Sequence, residues 1–272
     1  MLAVQANGAR IPILGLGTWE LGGRACARIV EQAIRLGYRL IDTAQIYDNE
    51  REVGEGVRAA GMPREQVFVT TKVWWTHFAA GDLERSVAES LTRLKFSYVD
   101  LLLLHWPNSS VPLAETMAAL CKMKREGLAR HIGVSNFTVE LIEEAVGLAS
   151  EPIVNNQIEL HPYLDQSRVI AVCRRLGIAV TAYSPIAKGA ASKDKVLAKI
   201  GKAHDKSAAQ VCLRYLVQQG LIVIPRTSKV ERLSENFEIF DFALSAAEMA
   251  EVRALASPKG RRVDPSWSPQ WD

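Results

Sequence analysis

Short β-rich apolar runs alternate with longer stretches of helical period along the whole chain, a pattern that commits it to parallel strands joined by crossover helices. The runs cover residues 14–17, 38–41, 67–72, 99–104, 129–134, 153–157, 178–182 and 221–224, eight in all. Amphipathic segments fall between them, at 23–36, 82–94, 113–127, 139–148 and 167–176. Eight β–α units in about 250 residues match a closed α/β architecture, the (β/α)₈ or TIM barrel, better than an open sheet, which usually has fewer strands. Ahead of the first unit, Asn7-Gly8 sits between β-tolerant residues, the sequence of a type I′ hairpin that would cap the barrel bottom. No linker or low-complexity tract divides the 272 residues, so a single domain with a loose tail from about Ser257 is expected.

Composition narrows the function classes. Hydrophobic residues make up 48% and charged residues 23%, ordinary globular values that exclude a disordered or collagen-like chain. Thirty-three Lys and Arg against thirty Asp and Glu leave +3, too weak a balance to advertise nucleic acid or an anionic membrane as partner. Cys26, Cys121, Cys173 and Cys212 lie far apart, without Cys-x-x-Cys or zinc-ligand spacing, and read as free thiols. No apolar run approaches the roughly 20 residues of a membrane helix, and no basic-then-apolar leader opens the chain. A cytoplasmic, monomeric protein without a metal is the expectation.

In barrel enzymes the chemistry lies where the strands end, so the residues after each run matter most. Asp42 follows the second run, with Tyr47 five positions on; Lys72 closes the third, His105 the fourth, and Ser135-Asn136 the fifth. Asn156-Gln157 ends the sixth, Tyr183-Ser184-Pro185 the seventh, and Arg226 the eighth. Singly, an Asp after a strand reads as a loop cap, a lone His as a structural group and a strand-end Lys as a solvated charge. Together, Asp, Tyr, Lys and His at one mouth are parts for proton transfer to a carbonyl oxygen. A free tyrosine titrates near about 10, too high for efficient exchange at neutrality, and an adjacent ammonium stabilises its phenolate. Lys72 would acidify Tyr47, Asp42 would keep Lys72 charged, His105 would orient the substrate oxygen, and Tyr47 would deliver the proton.

Gly15-Leu16-Gly17 begins like a dinucleotide fingerprint, but Glu20 occupies the third glycine position, so a Rossmann assignment fails. A different anion site is suggested after the eighth run, where Arg226, Thr227, Ser228, Lys229 and Arg232 gather before and within a helix start. The same residues also read as a solvated, capped helix end. Tyr183 offers an aromatic face, and Ser135, Asn136 and Gln157 could hold an amide, an outline that suits a nicotinamide. Trp19, Trp74, Trp75 and Trp106 follow strands and read either as pocket walls or as core packing.

Gly37-Tyr38-Arg39-Leu40-Ile41-Asp42-Thr43-Ala44 with Tyr47 and Asn49-Glu50, Leu103-Leu104-His105-Trp106-Pro107, and Ile132-Gly133-Val134-Ser135-Asn136-Phe137 resemble the aldo-keto reductase family. Asn156-Gln157-Ile158-Glu159-Leu160-His161-Pro162, Ala182-Tyr183-Ser184-Pro185 and Ile224-Pro225-Arg226-Thr227 through Glu235-Asn236 extend the resemblance over essentially the whole chain. It implies NADPH-dependent reduction of aldehydes and ketones, among them 2-oxoaldehydes such as methylglyoxal and keto-sugar acids such as 2,5-diketo-D-gluconate. It implies a catalytic set of Asp42, Tyr47, Lys72 and His105, and substrate contacts at Trp19, Tyr47, Trp74, His105 and Trp106. Cofactor contacts would fall on Thr18, Trp19, Asp42, Ser135, Asn136, Gln157, Tyr183, Ser184, Pro185, Ile186, Ala209, Ile224 and Pro225. The 2′-phosphate would meet Arg226, Thr227, Ser228 and Arg232, and the adenine Glu235 and Asn236. Arg226-Thr227 stands where many members carry Lys-Ser, which retains charge and hydroxyl but alters geometry. Two other readings stay open: a Schiff-base aldolase using Lys72, and a redox-sensing regulatory subunit of the same fold.

Overall fold

Asn7 and Gly8 both take positive φ, 44° and 87°, the backbone that a two-residue type I′ turn demands. They join β1 (Ala3–Ala6) to β2 (Ala9–Pro12) as an antiparallel pair with Ala6 opposite Ala9. Ala6, Ala9 and Ile11 pack in one cluster with Leu40, Leu101, Leu103, Val154, Ala179 and Ile222, so the hairpin plugs the end of a barrel. Asn7 Nδ2 fixes it there by donating to the Ile153 and Leu176 carbonyls at 2.8 and 3.1 Å. These features come from a computed structural model that describes residues 2–272.

Eight parallel strands form that barrel: β3 (Leu16–Gly17), β4 (Leu40–Asp42), β5 (Phe68–Val73), β6 (Val99–Leu104), β7 (Ala129–Ser135), β8 (Ile153–Glu159), β9 (Ala179–Tyr183) and β10 (Ile222–Val223). Neighbours in sequence are neighbours in the sheet. Parallel bridges from Leu14 to Val223 and from Gly17 to Arg226 join the last strand to the first and close the ring. At this seam a Cβ on Gly17 would lie 2.7 Å from the Ile224 carbonyl oxygen, so the close approach requires glycine. The (β/α)₈ barrel read from the alternation is the observed fold, and its hairpin cap is present.

Helices cover the outside: α1 (Gly23–Leu36), α2 (Glu50–Ala59), α3 (Asp82–Leu94), α4 (Leu113–Arg125), α5 (Val139–Leu148) and α6 (Ser167–Arg175). After β9 come α7 (Lys195–Ala203) and α8 (Ala208–Val217), and after β10 come α9 (Val230–Phe237) and α10 (Ala246–Arg253). In α1, Cys26, Ile29, Val30, Ala33 and Ile34 are buried, the stripe of an amphipathic helix. Gly37 ends it at φ 125°, donating its N–H to the Ala33 and Ile34 carbonyls. Capping boxes start α8 at Ser207 with Gln210 and α10 at Ser245 with Glu248.

Strand alternation decides which side chains enter the barrel. In β5, Val69 and Val73 pack outward on the helices while Phe68 joins the inner cluster, so Lys72 points inward. Leu102 and Leu104 face outward and Leu101 and Leu103 inward, which turns His105 inward. In β8 the simple rule fails, because Ile153 and Ile158 both face outward at odd separation. The register against β7 pairs Ile132 with Ile153 but Gly133 with Asn155, leaving Val154 as an extra residue. That bulge flips the parity of the remainder of the strand and brings Gln157 into the barrel.

After Ser257 there is no helix or strand. Read from sequence as loose, this tail is nonetheless pinned. Glu159, fully buried, accepts from the Arg262 and Val263 amides at 2.7 and 3.0 Å. Trp267 packs on Trp74 and Trp75 with centroids at 6.1 and 6.5 Å, and the Arg261 guanidinium lies 3.6 Å from the Trp271 ring centre.

Candidate active site

Asp42, Lys72 and His105 come from the ends of β4, β5 and β6, and Tyr47 closes a short 3₁₀ turn, Gln45–Tyr47, just after β4. The barrel brings all four together. Lys72 Nζ donates to Asp42 Oδ1 at 2.6 Å, to the Thr43 carbonyl at 2.9 Å and to Tyr47 Oη at 3.2 Å. The second Asp42 oxygen accepts from Gln157 Nε2 at 2.7 Å. The Tyr47 and His105 rings meet edge to face at 5.7 Å.

Electrostatics follow from enclosure. Burial pulls Lys72 down, but the Asp42 carboxylate and the Tyr47 oxygen outweigh it, so the ammonium is held more firmly than a free lysine's. Burial pushes the Tyr47 phenol up; Lys72 pulls it down and Asp42 pushes it up again, and the net shift is upward. The sequence-based expectation of an acidified phenol is thus corrected: Lys72 acts in the expected direction, and desolvation of the phenolate outweighs it. Tyr47 keeps its proton at neutral pH, as a proton donor must. Burial, then Lys72, lowers the His105 imidazole well below its ordinary range. His105 is therefore neutral, and its buried Nδ1 has no partner among the described residues.

Beside the four lies a second network. Ser135 Oγ donates to the Gln157 carbonyl at 2.8 Å; Asn136 Nδ2 donates to the His105 carbonyl at 2.9 Å and to Ser135 Oγ at 3.1 Å. Tyr183 Oη donates to Asn136 Oδ1 at 2.8 Å. Asn136 adopts φ 63°, a left-handed backbone that asparagine tolerates. Its amide is largely consumed holding His105 and Tyr183, while Gln157 Oε1 and the Tyr183 ring remain to meet a planar amide. Thr18 is buried, with both its amide and Oγ1 on the Asp42 carbonyl.

Aromatic rings form one wall. Trp19 stands edge-on to Tyr47 at 4.8 Å and Trp74 edge-on to His105 at 5.3 Å. Trp106, next to His105, is buried and packs edge to face on Trp271 of the tail at 6.2 Å. Past β10, Ile224 and Pro225 are buried at the barrel seam, and Arg226, Ser228 and Arg232 are exposed around the start of α9, which has no side-chain cap. Thr227 is buried, and its Oγ1 accepts from the Lys229 amide at 3.0 Å. Glu235 accepts from Ser207 Oγ at 2.6 Å, with Asn236 and Ala209 buried on α9 and α8. Ser184, at φ 48°, Pro185 and Ile186 lead from β9 into a 3₁₀ segment, Ala187–Lys193.

Sequence reasoning missed several supports. Gln45 Oε1 accepts from the Trp74 amide at 2.8 Å, while its Nε2 reaches Ser86 and Ser90 on α3. Asn49 ties Thr43 to the loop after β3. The tryptophans of the tail were legible as aromatic residues, but nothing in their spacing says which surface they cover.

The protein-family model for the aldo/keto reductase family matches residues 13–257. Methylglyoxal reductase DkgB of Escherichia coli O157:H7 is 42% identical over 266 residues, covering 96% of this chain and 99% of that protein. Glyoxal reductase of Bacillus subtilis (strain 168) is 40% identical over 261 residues, covering 96% and 94%. A solved structure provisionally assigned as a 2,5-diketo-D-gluconic acid reductase B superposes with TM-score 0.98 at 51% identity, covering 100% of this chain and 98% of the other. A Bombyx mori aldo-keto reductase in complex with NADP superposes with TM-score 0.91 at 35% identity, covering 97% and 95%. With barrel, strand-end residues and near full-length similarity in agreement, the chain belongs to the aldo-keto reductase family and is an oxidoreductase of carbonyl and alcohol groups.

Proposed function

We propose that the protein reduces small aldehydes and ketones to alcohols with NADPH, 2-oxoaldehydes such as methylglyoxal first among them and keto-sugar acids such as 2,5-diketo-D-gluconate second. The observation that carries the reading is the Lys72 ammonium bonded at once to Asp42 and Tyr47, with His105 against the same phenol. Bound NADPH supplies a hydride to the carbonyl carbon. Tyr47 supplies the proton to the carbonyl oxygen as negative charge develops there, and the Lys72 ammonium stabilises the phenolate left behind. His105, neutral, donates one N–H to the same oxygen and sets the angle at which the carbonyl presents itself. Asp42 and Gln157 keep Lys72 charged and in place.

The residues suit the dinucleotide by their chemistry. The Tyr183 ring and Gln157 would receive the nicotinamide, with Ser135, Asn136, Thr18 and Trp19 beside it. The rim of Ser228 and Arg232 at the uncapped start of α9 would take the 2′-phosphate, and Glu235, Asn236 and Ala209 the adenine. Trp19, Trp74 and Trp106 would wall the substrate. The activities that give the DkgB and glyoxal reductase relatives their names support a 2-oxoaldehyde, and the NADP-bound relative supports the cofactor. No helix among the described residues is long and apolar enough to cross a membrane; a cytoplasmic monomer completes the proposal.

A Schiff-base role for Lys72 is disfavoured by its own partners, because an ammonium held charged by Asp42 has no lone pair for attack. NADPH consumption by the purified protein over methylglyoxal, 2,5-diketo-D-gluconate, aromatic aldehydes and simple ketones tests the proposal. Many turnovers per enzyme with at least one carbonyl are expected, and kcat/KM ranks the substrates. Consumption of no more than one equivalent throughout would favour the regulatory-subunit reading.

A further inference from the structure

Four consecutive carbonyls between β3 and α1 are held by two side chains. Asn49 Nδ2 donates to the Thr18 and Leu21 oxygens, each at 2.8 Å. Arg226 donates from Nε to the Trp19 oxygen at 3.0 Å and from Nη2 to the Glu20 oxygen at 2.9 Å. Asn49 is buried at the N-terminal flank of α2 without capping it through its side chain, and its Oδ1 accepts from Thr43 Oγ1 at 2.6 Å. Arg226 reaches the loop from the opposite side, across the seam where β10 meets β3. Within the loop Glu20 sits at φ 57°, a left-handed backbone that a glutamate keeps only when its surroundings hold it. The ring carried by this loop, Trp19, stands edge-on to Tyr47 at 4.8 Å.

A guanidinium grips a phosphate best through a pair of parallel N–H groups. The Nε–Nη2 edge of Arg226 is spent on two backbone oxygens. Lys229 and Arg232, by contrast, have no side-chain hydrogen bond or ion pair among the described residues, and both stand at the uncapped start of α9. We infer that Arg226 is a positioning residue, a two-pronged clasp that sets Trp19 against Tyr47, and not the group that tells NADP⁺ from NAD⁺. The inference rests on the proposed dinucleotide chemistry and divides its cationic rim into two tasks. A lysine cannot take over the clasp, because one ammonium does not span two adjacent carbonyls as a planar fork does.

The test measures NADP⁺ and NAD⁺ affinities by calorimetry for the natural chain, Arg226→Ala, Arg226→Lys and Arg232→Ala. It adds acrylamide quenching of tryptophan fluorescence with and without Trp19→Phe. Arg226→Ala and Arg226→Lys should weaken both dinucleotides alike, within about threefold of each other, while Arg232→Ala should weaken NADP⁺ selectively by about tenfold or more. Both Arg226 variants should raise quenching, and the rise should vanish in the Trp19→Phe background. The inference is overturned if Arg226→Ala costs NADP⁺ about ten times more than NAD⁺ and Arg226→Lys restores it, as a phosphate ligand would behave. Unchanged Trp19 quenching in both Arg226 variants overturns it as well. If the natural chain binds neither dinucleotide, the proposed function fails instead, and that result is distinct from both.

Discussion

Gln157 and Asp42 lie 115 positions apart in the chain, yet Gln157 Nε2 donates to Asp42 Oδ2 at 2.7 Å inside the barrel. With Lys72 on the other oxygen, the carboxylate is satisfied on both sides, which is what lets an ion pair survive burial. Asp42→Ala leaves a buried ammonium without its partner and should cost about 3–5 kcal/mol in urea unfolding. Replacing both residues, Asp42→Leu with Lys72→Met, should cost less than Asp42→Ala alone. An equal or larger loss in the double variant would mean that the pair itself, and not its unpaired remainder, carries the stability.

His105 titrates well below 6.5 in the folded protein. Below pH 6.5 the unfolded chain therefore takes up a proton that the folded chain refuses, and stability falls as the medium is acidified. Between pH 7.5 and 5.5 protonation of the unfolded imidazole should lower stability by up to about 1.4 kcal/mol at this one site. His105→Gln should remove that share of the acid dependence, and the kcat profile of the natural enzyme should show no limb near 6.5. An acid slope identical in the two proteins would place the folded imidazole at its ordinary value.

Glu159 holds the C-terminal tail through the Arg262 and Val263 amides, and the tail carries Trp267 onto Trp74. Glu159→Ala should free the tail and so speed tryptic cleavage after Lys259, Arg261 and Arg262, of which Lys259 and Arg262 are already exposed. It should also raise KM for aromatic aldehydes several-fold more than for methylglyoxal, since a smaller carbonyl has less to gain from the aromatic wall. Unchanged proteolysis would show that the remaining contacts of the tail, aromatic and polar, pin it without Glu159.

All four cysteines are buried. Burial pushes the Cys26 thiol up to about 12 and the Cys173 thiol to about 11, away from the thiolate that reacts. An aromatic disulfide reagent should therefore find no thiol in the native protein and four after denaturation. One fast-reacting cysteine under native conditions would contradict the burial.

Much of the fold was legible in the residue string. The short apolar runs located all eight barrel strands, and Asn7-Gly8 gave the plug, because apolar runs and turn chemistry are local properties. Gln157 was legible as a strand-end residue of the site, but its inward aim over that of its neighbour Asn156 depends on the extra residue Val154, which only pairing with β7 reveals. The pinned tail was missed for the same reason: Glu159 and the Arg262 amide are 103 positions apart, and no periodicity links them. The sign of the Tyr47 shift was missed because spacing displays charged neighbours but not the depth at which they are buried. Arg226 was legible as a cation, while its grip on the Trp19 and Glu20 carbonyls needed the closed seam.

The central claim is that Tyr47 hands its proton to the substrate oxygen, and Tyr47→Phe tests it by removing one hydroxyl. Single-turnover kinetics with saturating NADPH and methylglyoxal, alongside calorimetric NADPH affinity, separate chemistry from binding. The account predicts a fall of about 10²-fold or more in the rate of reduction with NADPH affinity unchanged. A variant that reduces methylglyoxal at near-normal rate would contradict it and assign the proton to another group.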